Sequence, residues 1–154
     1  MRVLLMDHET IARWVEMRLA LWPDTPEAEH RAKVESSLAE GDRYASFLCE
    51  DEVGVAAGFA EASLRRDYVN GCETSPVAFL EGIYVLPAYR RRGVARALIT
   101  AVERWAASQG CQELASDTAT DNLRSQSLHT ALGFEETERV VYFRKELLPV
   151  AANN

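Results

Sequence analysis

The order of apolar and polar positions along the chain divides it into alternating strand and helix patterns. Arg2 to Met6 is a short apolar run that predicts a first strand. From Thr10, a capping residue type, Ile11, Trp14, Val15, Leu19 and Trp22 recur near helical spacing until Pro23 stops the run. Pro26 opens a more polar helix over Glu27–Ala39, ended by Gly41. Tyr44–Glu50 and Val53–Leu64 alternate as two strands joined by a tight acidic turn at Asp51-Glu52. Asp67 to Pro76 has turn signals at Asn70-Gly71 but no periodicity. It is longer than the 2–5 residues or so of a plain hairpin, which leaves a binding loop and a bland connection both open.

Val77–Leu86 reads as a further strand closed by Pro87. Val94, Ala95, Leu98, Ile99, Val102, Trp105 and Ala106 then follow the i, i+3, i+4 spacing of an amphipathic helix with Gly110 as its stop. Glu113–Asp117 predicts a short strand. A helix beginning at Asp121 carries Leu128, Ala131 and Leu132 to Gly133, and Phe134–Lys145 predicts a last strand. The expected order is β-α-α-β-β-β-α-β-α-β, a mixed α/β sheet. Residues 1–148 are expected to form one domain, with 149–154 as a frayed tail.

Composition narrows the class. With 154 residues, 47% hydrophobic and 27% charged, the chain is ordinary globular protein. Its formal net charge of −7 argues against nucleic acid and anionic membrane as partners and suits cationic ligands, although solubility alone explains it too. Cys49, Cys72 and Cys111 are widely spaced, and His8, His30 and His129 stand alone, so neither a disulfide framework nor a metal cluster is expected. The early charges Arg2 and Asp7 do not fit a signal peptide, which points to the cytoplasm. Val140, Val141, Tyr142 and Phe143 form a nearly continuous apolar run that one monomer face cannot easily hide.

The most informative stretch is Leu80-Glu81-Gly82-Ile83-Tyr84-Val85-Leu86-Pro87 with Ala88-Tyr89-Arg90-Arg91-Arg92-Gly93-Val94-Ala95. A strand ends, an arginine-rich turn follows, and a glycine precedes a strong helix. A helix start presents unpaired N–H groups and partial positive charge, Gly93 lets a ligand approach them, and the arginines add charge: a cradle for a pyrophosphate. Neither Gly-Lys-Ser/Thr nor Gly-x-Gly-x-x-Gly is present, so the nucleotide loops built on those motifs are excluded. On the strand, Val77, Phe79, Ile83 and Val85 alternate, and Glu81 falls in the same register. A carboxylate on the apolar side is costly unless paired, so an amine substrate or a structural arginine must be its partner. Gly82 suggests a bulge that would splay the strand and leave the backbone of Ile83 and Val85 to pair with a ligand's amides. Asp117 stands at a strand end, as a site residue or a mere helix-entry residue. Glu135, Glu136 and Glu138 form an acidic cluster that suits a polycation, with a solvated strand edge equally open for Glu135 and Glu136. Trp22 is either a core residue or a ring for a sugar or ammonium group.

Arg90-Arg91-Arg92-Gly93-Val94-Ala95 resembles the acetyl-CoA pyrophosphate loop of the GCN5-related N-acetyltransferase (GNAT) superfamily, and Asn122 with Ala131-Leu132-Gly133-Phe134 is similar to the second half of its cofactor site. A narrower resemblance, to chromosomal-type aminoglycoside 6′-N-acetyltransferases, runs through five segments. They are Leu21-Trp22-Pro23, residues 67–72, Phe79–Ile83, Ala115–Thr118 and Gly133–Val140. It implies the GNAT fold, a homodimer, and acetyl transfer from acetyl-CoA to an aminoglycoside 6′-amine. It implies antibiotic contacts at Trp22, Tyr68, Glu81, Asp117 and Glu138, and cofactor contacts at Ile83, Tyr84, Val85 and Asn122 beside the 90–95 loop. Glu81 and Asp117 are then the candidates to take the amine's proton, with their division of labour open, and no metal is needed. The chain departs from the pattern at His129, where many members of the superfamily carry a tyrosine that protonates the departing thiolate, and at Thr25, where some aminoglycoside enzymes carry histidine. The rival expectations are acetylation of another polyamine or a protein amine, and a non-catalytic acetyl-CoA or drug-binding module.

Overall fold

A computed structural model describes residues 1–150; the Ala151–Asn154 part of the expected tail lies outside the described residues. The elements are β1 (Arg2–Leu5), α1 (Ile11–Leu21), α2 (Glu27–Ala39), β2 (Tyr44–Glu50), β3 (Ala56–Arg65), β4 (Val77–Val85), α3 (Val94–Ser108), β5 (Leu114–Ser116) and α4 (Leu123–Ala131). Short 3-10 turns at His8–Thr10 and Pro87–Tyr89 lead into α1 and towards α3. The sheet order is β1-β2-β3-β4-β5, antiparallel except for the parallel pair β4–β5.

Each face of the sheet carries its own core. Phe47, Cys49, Ala60 and Leu80 meet Val94, Leu98, Ile99 and Val102 of α3 on one face. Leu48 and Phe59 meet Trp14, Val15 and Met17 of α1 and Val34 of α2 on the other. The α3 stripe is the one its periodicity predicts. Burying five side chains of that helix, Val94, Leu98, Ile99, Val102 and Ala106, fixes its first turn beside the end of β4.

Two expectations change. β3 begins at Ala56 rather than Val53, because residues 51–55 wrap around the Asp51 carboxylate. Its Oδ1 accepts the N–H groups of Val53 at 3.0 Å and Val55 at 2.9 Å, and Gly54 turns the chain with φ 84°. The expected last strand over Phe134–Lys145 is absent: these residues join no ladder. A strand needs an edge to bond to, and the outer edge of three-residue β5 is a short template. The apolar run that suggested the strand lies open, with Val141 78%, Tyr142 82% and Phe143 92% exposed.

No helix among the described residues is long and apolar enough to cross a membrane.

Candidate active site

The site is organised by one irregularity in the β3–β4 ladder. Ala62 pairs with Leu80 and Glu61 with Gly82, so Glu81 is an extra residue with no partner across the ladder. This is the bulge that Gly82 suggested. It also corrects the expected sidedness. Phe79 lies opposite Ser63, Ile83 opposite Ala60 and Val85 opposite Gly58. The side chains of Ile83 and Val85 therefore pack towards α3, whereas Glu81 turns to the α1/α2 face. It is not a carboxylate sunk among apolar neighbours: its side chain is 34% exposed. Of the two partners left open by the sequence, the structure supplies an arginine. Glu81 Oε1 accepts from Arg65 Nη2 at 3.1 Å and from Ser63 Oγ at 2.5 Å. Arg65 itself stacks over Phe79, 3.5 Å from the ring centroid.

Glu81 faces a cleft of about 150 Å³ whose walls are Leu21 and Trp22, Glu81 to Ile83, Ser116 and Asp117, and Ser125 and His129. Asp117 lies just past β5, exposed, and accepts no hydrogen bond among the described residues. Trp22 ends α1, and its indole sits against Gly82 so closely that a β-carbon there would fall 2.6 Å from Trp22 Cη2. Glycine at 82 thus serves both the bulge and the seat of the tryptophan.

A buried network that the sequence reading missed holds Trp22. Glu61 accepts from Trp14 Nε1 at 2.6 Å and from Arg18 Nη1 at 2.5 Å. Arg18 Nε donates to His30 Nδ1 at 3.1 Å, so the histidine hydrogen is on Nε2 and donates to the Trp22 carbonyl at 3.1 Å. The His30 ring also stacks on Trp22, with centroids 6.4 Å apart. The signal lay in an arginine on the apolar face of α1 and a glutamate on the buried face of β3. Only the fold pairs them.

The other wall of the cleft has the features of a pantetheine and pyrophosphate site. β5 ends at Ser116, opposite Leu80, so the β4 edge from Glu81 to Val85 has no strand beside it. Arg90 Nε donates to the Val85 carbonyl at 3.0 Å and shapes the turn after β4. Arg91 has φ 59° and Gly93 φ 82°. A β-carbon on Gly93 would meet nothing within 4 Å, which leaves the approach to the start of α3 open. No side chain caps that start and no acidic residue occupies its first turn. Val94 is buried and Ala95 half-buried beneath it. Asn122 caps α4 by accepting the Ser125 N–H at 3.1 Å. The uncapped N–H groups, the exposed Arg91 and Arg92 and the free strand edge together fit the phosphates and amides of a coenzyme A thioester.

Tyr68 and Glu138 are not brought into the cleft. Tyr68 is 77% exposed on the loop between β3 and β4. The loop is pinned by Glu113, whose carboxylate accepts from Thr74 Oγ1, from the Glu73 N–H at 2.9 Å and from the Thr74 N–H at 2.7 Å. These bonds, the Thr74 hydroxyl first, hold the Glu113 carboxyl below its ordinary range. Thr137 packs on Gly71 of the same loop, which sets Glu138 beside it rather than beside Glu81.

The model of the acetyltransferase (GNAT) family matches residues 14–134. The chain belongs to the GNAT acetyltransferase family. Among its relatives, the aminoglycoside N(6′)-acetyltransferase type 1 of Salmonella typhimurium is 52% identical over 145 residues, covering 94% of this chain and 99% of that one. The solved structure of AAC(6′)-Iy, in complex with the bisubstrate analogue CoA-S-monomethyl-acetylneamine, superimposes with a TM-score of 0.90 at 51% identity. It covers 95% of this chain and 98% of that one. The apo 6′-N-acetyltransferase AAC(6′)-IG from Acinetobacter haemolyticus gives 0.90 at 46% identity, with coverage of 96% and 99%.

Proposed function

We infer that the protein transfers the acetyl group of acetyl-CoA to the 6′-amino group of aminoglycosides and so confers resistance to them. The observation that carries this reading is the cleft itself: two carboxylates and a tryptophan face the one stretch of β4 edge left without a strand. Near-complete coverage of aminoglycoside-acetylating relatives supports it. Acetyl-CoA supplies the activated acetyl thioester. Ile83 to Val85 offer backbone N–H and C=O groups to its amides, and N–H groups near Val85 stabilise negative charge on the acetyl oxygen. Arg91, Arg92, Gly93 and the first turn of α3 take its phosphates.

The two carboxylates divide the work. Glu81 Oε1 is already held by Ser63 and Arg65, which suits orienting a neighbouring ammonium. Asp117, whose carboxylate has no hydrogen bond or ion pair among the described residues, takes the proton of the reacting amine directly or through water. Residues 1–148 act as one domain, in the cytoplasm, where acetyl-CoA is made. Thiol release from acetyl-CoA with an aminoglycoside panel, including a drug bearing 6′-OH in place of the amine, tests the reaction. Asp117→Asn should lower kcat by roughly 10²–10⁴-fold with acetyl-CoA affinity unchanged. Glu81→Gln should mainly raise the drug's KM. Wild-type constants in both variants would make the carboxylates structural.

The protein acts as a homodimer. The support is the exposed run Val141, Tyr142, Phe143, an apolar strip that water does not tolerate well on a monomer. Light scattering at micromolar concentration should give twice the monomer mass of 17.2 kDa; the monomer mass would remove the idea.

A further inference from the structure

Ser116 and His129 form a hydrogen-bonded pair in the cleft wall to which no role has yet been given. The ring has one arrangement that satisfies its neighbours. His129 Nδ1 lies 2.7 Å from the Ser125 carbonyl oxygen and 3.3 Å from the Ser125 hydroxyl, which can accept as well as donate. A carbonyl only accepts, so Nδ1 carries a hydrogen whether the ring is neutral or charged. Nε2 lies 2.8 Å from Ser116 Oγ. On the neutral ring Nε2 is bare and takes the Ser116 hydroxyl hydrogen. On the charged ring Nε2–H donates to Oγ, and the hydroxyl hydrogen is released. Its other protein acceptor is the Leu80 carbonyl at 3.3 Å, a weak contact. Ser116 therefore has a hydrogen to offer the cleft only when His129 is charged.

The setting is built for a fixed ring. Phe134 meets the imidazole edge-on, 5.2 Å between centroids. The charged groups around it are Asp117 beyond β5, Glu81 across the cleft, and Arg96 of α3, which donates to the Ala131 carbonyl at 2.9 Å near the end of α4. Ser116 stands where β5 ends and the free β4 edge begins, the edge assigned above to the thioester.

We propose that Ser116 delivers the proton needed by the departing sulfur of the acetyl donor, and that His129 supplies it. The inference rests on the acetyl-transfer reading above. As the carbon–sulfur bond breaks, its electron pair goes to sulfur, which takes the Ser116 hydroxyl hydrogen. The Nε2 hydrogen of charged His129 passes to Ser116 Oγ. The serine ends as it began and the ring ends neutral with its hydrogen on Nδ1. Half-buried, the ring regains a proton from water. Ser116 is the catalytic residue of the pair; His129 acts through it as a positioning residue and proton source.

Two measurements on the intact protein test this separately from the overall function. Nitrogen NMR of the substrate-free protein should show the neutral His129 ring protonated at Nδ1 and bare at Nε2, with the Nε2 signal altered in Ser116→Ala. The opposite tautomer overturns the relay whatever the substrate is. Single-turnover transfer should then fall about 10²-fold in Ser116→Ala and in His129→Gln, and no further in the double variant. Calorimetric affinities for both substrates should be unchanged, and Ser116→Thr should restore the rate. The wild-type rate should decline on the alkaline side, and that limb should vanish in both variants. A wild-type rate and limb in Ser116→Ala, or an acetyl adduct on Ser116 in intact-mass spectra, overturns the proposal. Transfer to other amines but not to aminoglycosides would instead sink the substrate assignment and leave the relay standing.

Discussion

Arg91→Gly separates what the fold needs from what the cofactor loop needs. Arg91 is exposed, has φ 59°, and finds no hydrogen-bond or ion-pair partner among the described residues. A left-handed backbone costs a non-glycine residue about 1–2 kcal/mol, and glycine there would recover it. Glycine's extra freedom in the unfolded chain takes back about 0.4–1 kcal/mol. The net change in stability is thus a gain of about 0–1.5 kcal/mol, read as an unchanged or slightly raised melting temperature. On the proposed cofactor site, the same substitution removes a charge-assisted phosphate contact worth about 1.5–3 kcal/mol. Titration calorimetry should show acetyl-CoA Kd raised about 10- to 150-fold, with a flatter dependence on salt. Gly93→Ala is the companion. Its β-carbon enters open space, so only the left-handed φ of 82° is penalised, by about 1 kcal/mol. Stability should fall while acetyl-CoA affinity falls too. A melting temperature that rises in Arg91→Gly with Kd unmoved would refute the assignment, because the strained arginine would then serve nothing.

Two further outcomes test the drug side. Gly82→Ala pushes a β-carbon to 2.6 Å from Trp22 Cη2; displacing the indole should cost about 1–3 kcal/mol of stability and raise the aminoglycoside KM several-fold, and unchanged tryptophan fluorescence with unchanged KM would contradict it. The Glu113 carboxyl is lowered in the folded protein, by the Thr74 hydroxyl first. Its contribution is therefore complete above the ordinary carboxylate range and is lost as pH falls through the lowered value. Protection of the residue 66–76 amides against hydrogen exchange, relative to their intrinsic rates at each pH, should fall at acid pH, and in Glu113→Gln already at neutral pH; equal protection throughout would show that the loop is held by something else.

Local patterns were legible where one element explains them. The α3 stripe, the closing glycines and the arginine turn before Gly93 need no partner to be recognised, and each stands where it was expected. Glu81 was legible as an oddity and Gly82 as a bulge. Their combined effect was not: an inserted residue reverses the side of everything after it, and the alternation from Val77 to Val85 hides that reversal. Arg18, Glu61 and His30 were invisible because they are 12 and 43 residues apart in the pairs that matter. The strand expected over Phe134–Lys145 failed for a related reason. Its alternation is a property of the segment, but a strand is a property of two edges, and the run's apolar side chains find no face of their own chain to cover them.

The bulge also shows why a carboxylate stands at position 81. In the ladder, Ala62 pairs with Leu80 and Glu61 with Gly82. Remove Glu81, and both pairs survive as neighbours in a regular strand. The sheet therefore has no use for this residue. Its presence interrupts the ladder beside the point where β5 stops at Ser116, and bulges carry that kind of cost where a side chain must be aimed. The inserted residue turns a carboxylate to the α1/α2 face, where Trp22 is held by His30 and Arg18, and it does so without moving Ile83 and Val85 from their pairing with Ala60 and Gly58 on the α3 core. Their backbone is thereby left rigid along an edge with no neighbouring strand. On the proposed reading, an amine on one side and a thioester on the other meet at this place. The arrangement needs the α1 face, the α3 face and the end of β5 together, which is why one glutamate in an apolar strand could signal the site but not describe it.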